Sequence, residues 1–125
     1  MAADLKQLRR VADEEVTATV AALPLPLRQR AEALPVTFHR RPNAAQRRDG
    51  IEGDTLGLFV GSEFSFEGMT SIPLPPQILL FLDNIWDQAE EDEAQFRQEV
   101  RTTYLHELGH YLGLDEQDLS DRGLE

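Results

Sequence analysis

Apolar positions recur with helical spacing over residues 4–22, near the start of the chain. Asp4 can cap the first turn, because its carboxylate can accept from a backbone N–H that the helix leaves unpaired. Pro24 and Pro26 cannot continue a helix and end the pattern. The sequence therefore predicts an N-terminal helix over residues 4–22, and residues 26–33 allow a second, short helical turn.

Three short segments have the composition of β-strands. Residues 34–39 place Val36 and Phe38 on one face, and residues 55–60 are followed by a glycine. Residues 77–82 form the most apolar segment of the chain. A continuous apolar run of this length is typical of a strand covered on both faces, so we expect residues 77–82 to be the central strand.

The segments between these strands have no clear period. Residues 40–54 contain four arginines, two glycines and one strongly apolar residue, and we predict a mobile surface loop. The alternative is that the arginines clamp an anion or an acidic partner. The connection over residues 62–76 carries three large apolar side chains, which either fill the core or form a flap beside a site. These side chains are Phe64, Phe66 and Met69.

A long helix is predicted from the acidic run near Asp92 to Gly113, which stands where a left-handed residue would end it. The segment contains good helix formers and no proline. One broad arc of its surface is apolar, which predicts that most of its circumference is buried. The residues of this arc are Val100, Tyr104, Leu105, Leu108, Tyr111 and Leu112.

This helix contains the sequence His106-Glu107-Leu108-Gly109-His110. Two histidines four residues apart lie on one helix face, so a single Zn²⁺ can accept a nitrogen from each. Glu107 is not a ligand in this arrangement and lies where it can take a proton from water that the metal activates. The alternative is a helix with two surface histidines and a solvated glutamate, but imidazoles on a largely buried helix need partners.

A third ligand is expected just beyond Gly113, where the chain turns back. The register of the longer motif places it at Glu116, with Asp115 one residue earlier. Two histidines and one carboxylate leave a coordination position open for water. Asp115 can instead cap a short helix from residue 116 to about residue 122, and the two roles are compatible.

The string from His106 to Leu119 resembles the C-terminal signature of the small bacterial zincin-like metallopeptidases. The likeness extends upstream through residues 57–61 and 76–81, whereas the first 50 residues match only in layout. The resemblance implies an α+β fold. Its parts are an N-terminal helix, a small three- or four-stranded mixed sheet, an active-site helix and a short C-terminal helix.

The resemblance also implies one Zn²⁺ per chain, held by His106, His110 and a carboxylate at Glu116, with Glu107 as general base. The glutamate at position 116 departs from the aspartate that is more usual in the family. In zincins an open edge strand can pair with an extended peptide substrate, and residues 55–60 are our choice for that strand. His39 has no companion at ligand spacing and is interpreted as an exposed residue at a strand edge.

The function implied is a zinc-dependent peptidase that acts on a peptide or protein substrate through metal-activated water. The alternative is a non-catalytic metal-binding domain used for stability or for docking a partner. The presence of Glu107 distinguishes the peptidase from the non-catalytic domain. A structural zinc site needs no acid between its histidines and usually fills its fourth position with protein. A weaker hypothesis is a metal-assisted hydrolase that acts on an amide other than a peptide.

Composition limits the remaining classes. A chain of 125 residues supports a single domain, residues 1–125, and the absence of cysteine excludes disulfides and thiolate ligands. No apolar run is long enough for a membrane span and residues 1–16 do not read as a signal peptide, so we expect a cytoplasmic protein with no membrane partner.

Charge is distributed unevenly along the chain. Residues 1–50 hold nine Lys+Arg and six Asp+Glu, giving +3, while residues 51–125 hold three and seventeen, giving −14. The net charge of −11 repels phosphate backbones, so we expect no nucleic-acid partner. The excess of acids is most simply a solvated face, although it also suits basic peptides.

Overall fold

The computed structural model of the protein describes residues 4–61 and 76–113. Within these residues, helices surround a small mixed sheet, which is the predicted α+β class. In chain order the elements are α1 (Leu5–Ala21), α2 (Leu25–Glu32), β1 (Val36–His39), α3 (Ala44–Arg48), β2 (Gly57–Val60), β3 (Gln77–Phe81), α4 (Leu82–Gln88) and α5 (Glu93–Leu112).

Helix α1 forms where the apolar spacing predicts it. The Asp4 side chain accepts a hydrogen bond from the backbone N–H of Lys6 at 3.1 Å, and Pro24 stands at the N-cap of α2. The apolar face of α1 is buried against α5 and α4, with Leu8 and Val11 among the least exposed residues. The N-terminal helix therefore forms one wall of the core that holds α5.

The sheet has the order β1-β3-β2 among the described strands. β1 runs parallel to β3, and β2 runs antiparallel to it. β3 is the central strand, as its continuous apolar sequence predicts, and Ile78 and Leu80 have no exposed surface. β2 therefore lies at one side of the described sheet, next to β3.

Residues 40–54 lie largely at the surface, as predicted, but they are not loop throughout, because they contain helix α3. Asn43 and Gln46 cap α3 reciprocally, each side chain accepting from the other's backbone N–H at 2.8 Å. Arg40 and Arg41 pair with acidic residues of α4, which links the segment to that helix.

The segment between β3 and the long helix also differs from the expectation. The sequence predicts no element between the strand over residues 77–82 and the helix that starts near Asp92, but this segment forms a separate helix, α4, directly after β3. Leu82 and Ile85 have no exposed surface, so burial of this short amphipathic turn stabilises it. Glu90 and Glu91, both with positive φ (56° and 59°), then turn the chain into α5.

Several predictions concern residues outside the described ranges. These are the role of Phe64, Phe66 and Met69 in the connection after β2, the third ligand at Glu116 or Asp115, and the short C-terminal helix. Across residues 4–61 and 76–113, no helix combines the length and the apolar character that a membrane crossing requires.

Candidate metal centre

Helix α5 supports the candidate site. Asp92 caps its start by accepting from the backbone N–H of Gln95 at 2.9 Å, and Gly113 ends it in the left-handed conformation with φ of 73°. Four residues of the predicted apolar arc are buried and two are partly buried, as the pattern indicated. The buried ones are Val100, Tyr104, Leu105 and Leu108, and the others are Tyr111 and Leu112. The core therefore holds the last two turns of α5 in place.

The structure brings His106, Glu107 and His110 together on one side of these turns. One potential ligand atom from each lies within 4.8 Å of the other two. The two imidazole rings have centroids 4.6 Å apart and planes inclined at 60°. Exposure rises across the group, because Glu107 is buried, His106 is intermediate and His110 is exposed. The cluster thus has a buried acid at its base and an imidazole at its surface.

Glu107 is held by two neighbours of different kinds. Its Oε1 accepts a hydrogen bond from the backbone N–H of Phe59 in β2 at 3.0 Å. The same oxygen lies 3.6 Å from Nδ1 of His110. The residue is only 7% exposed, so its carboxylate is largely withdrawn from solvent. A buried carboxylate needs polar partners of this kind, and here they come from a strand backbone and a neighbouring imidazole.

Contact between β2 and α5 depends on Gly57. A Cβ atom at Gly57 would lie 2.6 Å from Cγ2 of Thr103 and 3.4 Å from Cγ of Glu107. No real Cβ tolerates the shorter distance, so any other residue at this position would force the Thr103 side chain or the strand itself to shift. The absence of a side chain at Gly57 therefore allows the strand to come within hydrogen-bond reach of Glu107.

The sequence analysis did not identify Gly57, Phe59 and Thr103 as parts of the site. A backbone N–H carries no residue-type signal, and a single threonine on a helix does not indicate which strand it contacts. Gly57 did carry a signal. A glycine inside a strand often marks close approach of another backbone or side chain, and that reasoning would have placed a neighbour beside it.

The two imidazoles fit a zinc ion. Imidazole nitrogen is a zinc donor, and two donors on one ion at about 2.1 Å each lie at most about 4.2 Å apart. The potential ligand atoms of His106 and His110 lie within 4.8 Å of each other, close to that span, and the Glu107 carboxylate lies beside them. No other group of three histidine, aspartate or glutamate side chains in residues 4–61 and 76–113 is clustered in this way.

The remaining histidine lies elsewhere. His39 is exposed at the end of β1, where its Nε2 lies 2.9 Å from the Thr37 hydroxyl and its ring stands beside Phe81. Partial burial, followed by the charge of Arg9, lowers the pKa of His39 below its usual value. His39 is not part of the described histidine–carboxylate cluster.

The two tyrosines of α5 differ in their surroundings. Tyr104 has no exposed surface, and its hydroxyl has no hydrogen-bond partner among the described residues. Tyr111 is partly buried, with its ring 5.6 Å from that of Phe59 and below the guanidinium of Arg30. Tyr111 thus packs against the strand residue whose amide binds Glu107, while Tyr104 belongs to the core.

A family model described as zincin-like metallopeptidase matches residues 31–124. The chain belongs to this family. The match runs from the end of α2 past the end of α5, so it includes the whole sheet, His106, Glu107 and His110. A comparison with curated proteins finds no match. In this zincin-like protein, the histidine–glutamate–histidine cluster lies within the residues that the family model matches.

Proposed function

We propose that this zincin-like protein is a zinc-dependent peptidase. One observation carries the proposal: a buried carboxylate, Glu107, lies between two histidines at ligand spacing and faces one of them at 3.6 Å. A site that only holds a metal for stability has no use for a buried acid placed in this way. An acid at this position is suited to exchange protons with water and with a leaving group.

The residues have distinct roles in this proposal. His106 and His110 hold the ion, and Glu116 is the proposed third ligand, which leaves a position for water. Zn²⁺ bound there supplies a Lewis acid that makes water nucleophilic near neutral pH and polarises the substrate carbonyl. Glu107 takes the proton from the attacking water and passes it to the leaving amine. Burial of Glu107 keeps bulk solvent from competing for that proton.

The proposed substrate is an extended peptide that pairs with the free side of β2. Leu56 accepts a hydrogen bond from the Phe81 N–H at 2.9 Å, so alternate residues of this antiparallel pair, starting at Leu56, direct their backbone groups toward β3. Gly57 and Phe59 therefore direct theirs to the opposite side, where no described strand is paired. A peptide strand added there runs past Glu107. The net charge of −11 favours peptides that carry basic residues.

The proposal is tested by metal analysis and by cleavage of a peptide library. We expect the full chain to bind one zinc ion and to cleave peptides. Glu107→Ala should retain zinc and lose activity by about 10²–10⁴-fold, the usual contribution of a general base. His106→Ala and His110→Ala should lose the metal. Glu99→Ala removes a partly exposed carboxylate from the same helix and serves as the matched control with unchanged cleavage.

Two outcomes would contradict this assignment. Equal cleavage by wild type and Glu107→Ala would show that Glu107 is not the base. Stoichiometric zinc in wild type with no cleavage of any library member would favour the alternative, a non-catalytic metal-binding domain used for stability or docking.

A further inference from the structure

The Phe59 amide has two possible acceptors. In the described structure its N–H donates to Oε1 of Glu107 at 3.0 Å, on the side of β2 that faces away from β3. An antiparallel peptide strand that extends the sheet must place a carbonyl oxygen opposite this same N–H, because such pairing uses the amide of every second residue, which is every amide that faces outward. One amide hydrogen makes one good hydrogen bond, so the peptide carbonyl and the Glu107 carboxylate compete for it.

We propose that the Phe59 amide keeps the Glu107 carboxylate hydrogen-bonded to β2 in the free protein. A peptide that pairs with β2 accepts the hydrogen bond from this amide instead, and the carboxylate is released. This inference rests on the proposed function and deepens it, since it couples binding of the substrate to release of the Glu107 carboxylate. In the free protein, Oε1 is occupied by a donor. Once the peptide carbonyl accepts from Phe59, the Glu107 carboxylate has lost the donor that fixes its orientation and can turn toward water.

Gly57 sets the spacing that makes this contact. The strand can approach α5 closely because Gly57 has no Cβ to meet Thr103. Phe59 is two residues further along and therefore lies on the same face, where its ring contacts Tyr111 of α5. Gly57 and Thr103 act only through the position of the strand, so we assign them as positioning residues for the contact between Phe59 and Glu107.

The exchange of partners predicts an unusual effect of a substitution in the site. Peptide binding to wild type must break the hydrogen bond from Phe59 to Glu107, whereas binding to Glu107→Ala need not. Removing the carboxylate should therefore tighten peptide binding by about tenfold or more, the equivalent of one hydrogen bond to a charged acceptor. Loss of catalysis and gain of binding in the same variant distinguish this inference from a loss of structure.

The first experiment uses the full chain in a chelator, so that wild type does not turn over the probe. The probe is a capped hexapeptide of alternating valine and lysine, which favours extended structure and complements the acidic chain. Binding is followed by the amide resonance of Phe59. We expect that resonance to shift with peptide and the Glu107→Ala variant to bind at least about tenfold more tightly. Glu99→Ala should bind as wild type does.

The second experiment measures hydrogen exchange of the Phe59 amide without peptide. Exchange should be at least about tenfold faster in Glu107→Ala than in wild type, because a charged acceptor has been removed. Gly57→Ala should also speed it by displacing the strand. Adding Thr103→Ser to Gly57→Ala deletes the clashing Cγ2 atom and should restore slow exchange, a rescue that general destabilisation would not produce.

The proposal is overturned if the peptide binds neither protein, if it binds wild type as tightly as Glu107→Ala, or if Phe59 exchanges equally fast in both. These results do not depend on zinc or on turnover. Cleavage by the zinc-loaded protein with equal peptide affinities would leave the peptidase assignment intact and remove only the coupling. Tighter peptide binding by Glu107→Ala, together with no cleavage by the zinc-loaded wild type, would support the coupling and contradict the peptidase assignment.

Discussion

Two regions of the molecule bury a polar side chain, and they treat it differently. Asn84, in α4, is 4% exposed, and its amide nitrogen donates to the carbonyls of Gly53 and Thr55 at 2.8 and 2.9 Å. Its oxygen accepts from Arg41. Glu107, in α5, is 7% exposed, and its described partners are one backbone amide and one imidazole.

The difference lies in how much hydrogen-bonding capacity is used. The amide of Asn84 uses both donor hydrogens and its oxygen, which is the arrangement expected of a group that fixes two segments together. An ionised carboxylate can accept several hydrogen bonds, and Glu107 accepts one from the described residues. Unused acceptor capacity next to two histidines is available for chemistry. Asn84, whose hydrogen-bonding groups are all used by described residues, is thus the structural residue. Glu107, whose carboxylate keeps acceptor positions that the described residues do not use, is the candidate catalytic residue.

Tyr104 represents a third condition. It lies on the same helix as Glu107, is fully buried, and its hydroxyl has no partner in the described part of the chain. Burial raises the pKa of Tyr104 to about 12. Unlike Glu107, it is surrounded by core residues and not by titratable groups at ligand spacing. An unpaired polar atom is therefore not sufficient to indicate a site, since the neighbours determine whether it can be used.

The largest effect on stability is expected at Asn84. Replacing it by Ala leaves the carbonyls of Gly53 and Thr55 without their donor, so the free energy of unfolding should fall by about 2–3 kcal/mol. Urea denaturation measures the change. Asp87→Ala removes an exposed partner of Arg41 and should cost less than about 1 kcal/mol. Similar losses in both variants would show that Asn84 is not a structural link.

A smaller effect of opposite sign is expected at Tyr104. Tyr104→Phe removes a buried hydroxyl that has no partner among residues 4–61 and 76–113, and should raise the free energy of unfolding by about 1 kcal/mol near neutral pH. The raised pKa means that the folded state favours the neutral phenol. The stability that comes from this difference in pKa is fully present below the unfolded-state pKa of about 10, and it is lost as the pH rises toward 12.

The advantage of Tyr104→Phe should therefore grow as pH increases from about 8 to about 11. Stability measured by denaturant at several pH values provides the test, with Tyr111→Phe as the control that keeps the buried tyrosine. If the difference between wild type and Tyr104→Phe stayed constant across this range, the phenol of Tyr104 would not be as strongly shielded as its burial indicates.

The smallest effect on stability is expected at Glu107. Glu107→Gln keeps a side-chain oxygen for the Phe59 amide and removes a buried charge, so the free energy of unfolding should change by less than about 1 kcal/mol. Denaturation of the metal-free protein separates this effect from zinc binding. A loss of unfolding free energy as large as that of Asn84→Ala would show that Glu107 is a structural residue like Asn84.

The local sequence determined much of the fold because its signals depend on near neighbours. Asp4 caps the helix that it was expected to cap, α5 begins at the acidic run near Asp92, and Gly113 ends α5 in the left-handed conformation. The apolar run over residues 77–82 became the central strand, β3. The helical register of His106 and His110 placed both imidazoles on one face, since four residues make just over one turn.

The errors came from segments that tertiary contacts stabilise. Residues 40–54 read as loop because they are polar, but the Asn43–Gln46 capping box and the pairing of Arg41 with α4 order them. Helix α4 was missed because seven residues are too few for a periodic pattern, and burial of Ile85 makes it stable.

The sequence alone determined which residues could bind a metal and on which helix face they lie, because helical geometry fixes those relations over a few residues. Only the tertiary structure decided what Glu107 contacts. The amide of Phe59 is 48 positions away in the chain, and its approach depends on the space left by Gly57 beside Thr103. Such a contact arises from the packing of a strand on a helix, so a glycine in the strand can indicate a close neighbour but not which residue that neighbour is.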